Sequence, residues 1–181
     1  MKTILLNNVL SDKELFFMYN EIVSSPGWRL NGISSDEPGF NYGPVLVVKN
    51  NTGIGGEFNP FYYWGQSVVY RIFKLLEEKN IGMPTTLHRM WFNSTYNGKK
   101  TQHFLHRDDD KTGPINFKSI LIFMTPIWQP DWKGSFYVDG QEFKFRPGSA
   151  IVFDSEEYHK GESPDSEMFN WQRITCNIMV K

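Results

Sequence analysis

Gly134-Ser135-Phe136-Tyr137-Val138-Asp139-Gly140-Gln141-Glu142-Phe143-Lys144-Phe145-Arg146-Pro147-Gly148-Ser149-Ala150-Ile151-Val152-Phe153 is the stretch on which the reading of the fold rests. Two alternating runs, Gly134 to Val138 and Glu142 to Phe145, flank Asp139-Gly140. That pair suits a type I′ turn because both of its residues tolerate positive φ, so the runs are expected to form a hairpin. Pro147-Gly148 marks the next turn, and Ala150 to Phe153 is a further short strand. Working outward, everything after Pro84 has strand character: Leu87 to Phe92, His103 to Asp108, Phe117 to Met124, a short strand near His159, and Arg173 to Val180.

The first half differs. Ile4 to Leu10 is expected as a short strand. Ser11 is then a helix cap, with Glu14 as its capping-box partner and Leu10 stapling onto Leu15. This helix runs through Ile22 or Val23 and stops at Ser25-Pro26-Gly27. Gly32 to Gly43 is a polar, glycine-containing loop, placed before the barrel strands and expected to act as a lid. Val45 to Val48 is a brief β-branched strand. Asn59-Pro60 opens a second helix whose apolar face is Phe61, Trp64, Val68, Ile72 and Leu76, closed by Asn80 and Gly82. Two helices followed by about eight short strands predict an α+β, mainly β domain, a sandwich or jelly roll braced by helices. Residues 1–181 are expected to be a single domain, with the jelly-roll core at about 84–181 and the supporting elements at about 1–83.

Composition narrows the functional classes. Net charge is −1, which gives no general attraction to nucleic acid or an anionic membrane. A lone cysteine, Cys176, excludes an internal disulfide framework and fits a reducing compartment. The apolar run Ile120 to Met124 is far too short to span a bilayer, and the start of the chain lacks the apolar core of a signal peptide. A cytoplasmic location is therefore expected, with no nucleic-acid or membrane partner, while oligomeric state leaves no mark in the sequence.

Chemistry concentrates in His106-Arg107-Asp108, His159 and Arg173-Ile174-Thr175. Residues two apart on a strand share a face, so His106 and Asp108 point together, as do Arg173 and Thr175. With His159 from a later strand, two imidazoles and one carboxylate can hold a metal on one side and leave other positions open. Non-heme Fe(II) oxygenases use that ligand set. Arg173 supplies a planar fork for a distal carboxylate. Arg107 points away by parity, yet at a strand end it can turn toward the mouth, which makes it a candidate substrate contact. His103 faces away from the metal, His88 is read as structural or superficial, and Cys176 as a small buried hydrophobe.

Several runs resemble the Fe(II)/2-oxoglutarate-dependent dioxygenases, especially the prolyl 4-hydroxylase-like branch: Tyr96-Asn97-Gly98 through His106-Arg107-Asp108, Trp128 with Gly134-Ser135, Arg146 through Phe153, His159, and Arg173-Ile174-Thr175. The resemblance covers about the C-terminal half. It implies a double-stranded β-helix, with iron on His106, Asp108 and His159 and the far carboxylate of 2-oxoglutarate on Arg173. Tyr96 and Thr175 would add hydroxyl contacts to the cosubstrate. It further implies O2 as co-reactant, ascorbate as a reactivating reductant, and hydroxylation of an unactivated C–H of a peptidyl proline or a small metabolite, with release of succinate and CO2. Beyond the metal ligands it implies no catalytic side chain. Glu162 to Asn170 stands as an insertion before Arg173 relative to that pattern.

Two other readings stay open at this stage. A carbohydrate-type jelly-roll binding module would use Trp128, Trp132 or Trp171 as stacking platforms. A cupin-like non-redox metal enzyme would instead show closely spaced histidines followed by a glutamate, a pattern this chain lacks.

Overall fold

In the computed structural model, residues 2–28, 45–49, 60–95, 105–108, 117–164 and 172–181 are described. In chain order the elements are β1 (Ile4–Leu6), α1 (Asp12–Ser24), β2 (Val45–Lys49), α2 (Pro60–Glu77), β3 (Leu87–Thr95), β4 (Lys118–Phe123), a 3-10 turn at Pro130–Trp132, β5 (Phe136–Val138), β6 (Gln141–Phe143), β7 (Ala150–Asp154), β8 (His159–Gly161) and β9 (Arg173–Val180). Six strands form one sheet in the order β1-β7-β4-β9-β3-β2, and three form a second in the order β6-β5-β8. Among the described residues every strand pairing is antiparallel. The architecture is the expected one, mainly β with two helices on one face of a jelly roll.

β4 and β7 of the large sheet feed two cores, because alternate side chains point to opposite faces. Ile120 and Ile122, Ala150 and Val152, and Ile174, Cys176, Ile178 and Val180 join the core beneath the helices. Leu121, Phe123, Ile151 and Phe153 meet Phe136, Val138 and Phe145 of the second sheet across the barrel interior. Cys176 is fully buried in the first of these cores, as expected of a small hydrophobe. Helix α2 seats Val68, Ile72 and Leu76 there, with Phe61 and Trp64 against Phe92. Gly65 permits this approach, since a Cβ at that position would collide with the Met90 sulfur on β3.

Several local expectations shift. β1 stops at Leu6 rather than Leu10, because Asn8 takes φ 54° and turns the chain toward α1. Ser11 does cap α1, its hydroxyl accepting from the Glu14 N–H at 3.3 Å. The Glu14 carboxylate, however, serves a tertiary contact instead of closing the capping box. It accepts from Arg71 at 2.8 Å and from the Trp64 indole at 3.1 Å, tying α1 to α2. Helix α2 ends at Glu77, ahead of Asn80 with φ 58°, and its expected cap Asn59 lies outside the described residues.

Asp139 and Gly140 have φ of 50° and 69°, the conformation anticipated for the hairpin. β5 begins at Phe136 rather than Gly134, whose φ of 78° is incompatible with a strand, and β6 closes at Phe143. Within 105–108 the expected strand is reduced to a single bridge, His106 against His159. His103 and the loop Gly32 to Gly43 lie outside the described residues.

Candidate metal centre and carboxylate site

His106 and His159 sit directly opposite one another. The His106 N–H donates to the His159 carbonyl at 3.0 Å, and the reciprocal bond is 2.8 Å. Directly paired residues send their side chains to the same face, and the two rings lie with centroids 4.3 Å apart. Asp108, two residues on, is anchored through its N–H to the Ser155 carbonyl at 3.1 Å. The potential ligand atoms of His106, Asp108 and His159 all lie within 4.8 Å of one another. The expected triad is therefore brought together by one ladder rung and one strand alternation.

Surrounding groups orient these side chains. His159 Nδ1 lies 3.0 Å from the Glu157 carbonyl. A carbonyl can only accept, so Nδ1 carries the proton and the Nε2 lone pair is left for a cation. Phe136 and Phe153 pack on the same ring at centroid distances of 5.6 and 5.0 Å. Asp108 Oδ2 accepts from the Ser119 hydroxyl at 2.8 Å, leaving Oδ1 3.5 Å from His159 Nε2. Because Ser119 spends its proton on Asp108, Ser155, 2.9 Å away, donates to Ser119. Neither serine stood out in the sequence. The one available signal was parity, a hydroxyl at Ser119 on the strand face that otherwise carries Leu121 and Phe123.

Burial alone would raise the Asp108 pKa, but His159, Ser119 and His106 hold it below the usual carboxylate range. Burial would lower that of His159, and the Asp108 carboxylate outweighs it, so the imidazole keeps its proton to higher pH than usual. A cation must displace that proton. Metal affinity should accordingly weaken as pH falls through the imidazole range and level off above it, a trend that Co(II) titrations across this range would follow. Ser119→Ala should weaken metal retention by roughly 10- to 100-fold through loss of the carboxylate's orienting bond. Dialysis against graded chelator concentrations measures this directly.

Arg173 opens β9 and is 3% exposed. Its Nε donates to the Gly134 carbonyl at 3.0 Å, and its guanidinium lies over the Phe145 ring, 5.5 Å from the centroid. Trp128 stacks on the other part of this aromatic wall, 3.9 Å from Phe145. Gly134 must be glycine: beyond its φ of 78°, a Cβ would sit 2.6 Å from Trp128 and 3.2 Å from Arg173 Nε. Among the described residues, two buried side-chain polar atoms have no hydrogen-bond partner, Arg173 Nη2 and Ser94 Oγ, and only the first is cationic. Desolvation lowers the Arg173 pKa to about 10, with Glu162 opposing the fall. An orphaned cationic donor in a dry interior is costly unless an anion completes it. That fits a carboxylate-bearing cosubstrate.

Thr175 lies on the same face of β9, buried, flanked by Asn93 on β3 and Phe123 on β4. Tyr96 lies outside the described residues. Arg107 is exposed, with its guanidinium 4.9 Å from the Tyr158 ring centroid, so parity keeps it outside the barrel. His88 stacks on Phe117 at 4.5 Å, in keeping with a structural role. Of the expected insertion, residues 165–170 lie outside the described residues, and Glu162 itself is tied to the small sheet just past the end of β8. Its N–H donates to the Ser135 carbonyl at 2.8 Å and its carboxylate accepts from the Ser135 N–H at 3.0 Å.

No protein-family model and no curated relative matches this chain. Solved structures do. A prolyl-4-hydroxylase from Pseudomonas putida aligns with a TM-score of 0.65 at 14% identity, covering 99% of this chain and 92% of that one. A 2OG-Fe(II) oxygenase family oxidoreductase from Burkholderia pseudomallei aligns with a TM-score of 0.67 at 15% identity, covering 98% and 84%. The fold is the jelly roll that these solved 2-oxoglutarate/Fe(II) oxygenases share. A Trichoplax adhaerens prolyl hydroxylase, solved with a hypoxia inducible factor peptide, shares this oxygenase fold with a TM-score of 0.62 at 14% identity, covering 98% and 82%. Among the described residues, no helix is long and apolar enough to cross a membrane.

Proposed function

We propose that the protein is a 2-oxoglutarate-dependent Fe(II) oxygenase that hydroxylates an unactivated C–H of a peptidyl proline or a small metabolite, releasing succinate and CO2. The observation that carries this reading is the unpartnered Nη2 of buried Arg173, whose guanidinium lies over Phe145 of the same interior core whose Phe136 and Phe153 pack on His159 of the His106, Asp108 and His159 cluster. A metal cluster or a buried arginine alone suits many proteins. Together they ask for a cation and an anion in one dry cavity.

In this reading His106, Asp108 and His159 hold Fe(II), Arg173 takes the far carboxylate of 2-oxoglutarate, and Thr175 and Tyr96 add hydroxyl contacts. When bound, iron and cosubstrate supply the oxidising chemistry, with O2 as co-reactant and ascorbate as the reductant that restores inactive iron. The protein's own groups do the rest. Glu157 fixes the His159 tautomer, Ser119 fixes the Asp108 carboxylate, and the Phe123, Phe145 and Trp128 wall keeps water from the Arg173 ion pair. No side-chain general base is required. Arg107 enters only as a rim contact for substrate. The chain acts as one catalytic unit over residues 1–181, in the cytoplasm, on a small-molecule or peptidyl partner and without nucleic acid.

Two of the three platforms of the binding-module alternative are otherwise engaged, and the third, Trp171, lies outside the described residues. Trp132 is buried, and Trp128 is stacked on Phe145 with its indole N–H given to the Lys133 carbonyl at 3.0 Å. A screen of peptides and metabolites for stimulation of 2-oxoglutarate turnover tests the proposed function. Stimulated succinate release with matching hydroxylated product is expected; turnover of a hit without 2-oxoglutarate would overturn it.

A further inference from the structure

Arg173 and Glu162 are joined through one peptide unit. The Gly134 carbonyl accepts from Arg173 Nε at 3.0 Å, and across the same peptide bond the Ser135 N–H donates to Glu162 Oε2 at 3.0 Å. A cation thus sits at the oxygen end of this amide dipole and an anion at its N–H end, so each bond strengthens the other. The strand ladder does not restrain this unit. β5 pairs with β8 from Phe136 onward, and the Glu162 N–H that reaches the Ser135 carbonyl fixes only the peptide that follows. On the preceding side, Lys133 and Gly134 both have positive φ, 55° and 78°. Glycine is required at 134 by the closeness of Trp128, and it leaves the backbone there freer to rotate than any other residue would. The Ser135 hydroxyl is committed elsewhere, donating to Glu142 Oε1 at 2.7 Å.

We infer that Glu162 is a positioning residue for Arg173. Its carboxylate holds the Gly134–Ser135 peptide in the orientation that turns the Gly134 carbonyl onto Nε, and so fixes the fork whose Nη2 is left for an anion. A flip of this peptide would swing the carbonyl away from Arg173. Ser135 and Arg173 are both buried, so the flip would strand the Ser135 N–H and the Arg173 Nε–H together, each at the cost of a desolvated donor. Glu162 acts only through Arg173 and touches neither the metal ligands nor the anion. That this anion is the cosubstrate rests on the oxygenase reading, whereas the linkage between Glu162 and Arg173 is independent of it.

Two variants separate geometry from charge: Glu162→Ala removes the acceptor and the charge, and Glu162→Gln removes the charge alone. The Arg173 Nε–H signal, identified as the one missing in Arg173→Lys, is followed in isotope-labelled, Zn(II)-loaded protein without cosubstrate. In Glu162→Ala it should shift and exchange with water at least about tenfold faster, as befits loss of a hydrogen bond to a charged group. In Glu162→Gln it should shift but keep its slow exchange, because the amide oxygen still accepts from Ser135. The Trp128 indole N–H, bonded one residue earlier to the Lys133 carbonyl, should stay in place in both. An Arg173 signal unchanged in Glu162→Gln, or in folded Glu162→Ala, would overturn the assignment. Equal disturbance of Trp128 would overturn it too, since that marks general loosening of the turn. Calorimetric titration with 2-oxoglutarate should show about tenfold weaker binding to Glu162→Ala, largely restored in Glu162→Gln, at unchanged metal content. Wild-type protein that binds no 2-oxoglutarate would count against the oxygenase reading alone, and the Arg173 signals would still decide the role of Glu162.

Discussion

Asp108→Ala is expected to lose its metal and, with it, all turnover of 2-oxoglutarate. Asp108 contributes the one carboxylate of the cluster, and its removal also releases the hydroxyl chain from Ser119 to Ser155. Two imidazoles remain, but the charge that offsets a divalent cation in this buried position is gone. The backbone bond from residue 108 to the Ser155 carbonyl does not depend on the side chain, so the fold should persist. Metal content by elemental analysis, beside a thermal melt, separates loss of the site from loss of the structure. An Asp108→Ala protein that keeps wild-type iron and activity would show that the ligand assignment is wrong.

Arg173→Ala should leave iron binding intact and raise the apparent 2-oxoglutarate constant at least roughly tenfold. Truncating one partner of a buried, hydrogen-bonded charge pair commonly costs about 2–5 kcal/mol, much of it from stranding the other charge. Arg173→Lys should recover part of the loss, since charge survives but the fork does not. The recovery will be limited by the cradle, because Nε is the atom bonded to the Gly134 carbonyl and lysine has no nitrogen at that position. Initial-rate kinetics of succinate formation over a range of 2-oxoglutarate concentrations measure both variants. Unchanged constants in both would place the cosubstrate carboxylate elsewhere.

Much of this architecture could be read from local chemistry. β9 spans Arg173–Val180 as its alternation predicted, and Asp139-Gly140 turns with the two positive φ values that its side chains tolerate. His106, Asp108 and His159 converge because their spacing and the strand order determine which faces they share. The misses have a common cause, the preference of a tertiary partner over a local one. Glu14 is a sound capping-box residue by sequence, yet Arg71, 57 positions away, takes its carboxylate. Ser119 and Ser155 lie 36 residues apart, and their shared hydroxyl chain exists only once β4 and β7 have paired. Periodicity reports which way a side chain points but not which distant group it meets.

The account stands most directly on one determination: succinate produced from 2-oxoglutarate by the purified wild-type protein with O2, with Fe(II) added and again after chelation. It predicts succinate and CO2 in equal amounts, with one Fe(II) per chain and no product in the chelated sample. Succinate formation that survives removal of the metal, or its absence in protein shown to retain iron on His106, Asp108 and His159 across a broad substrate panel, would contradict it.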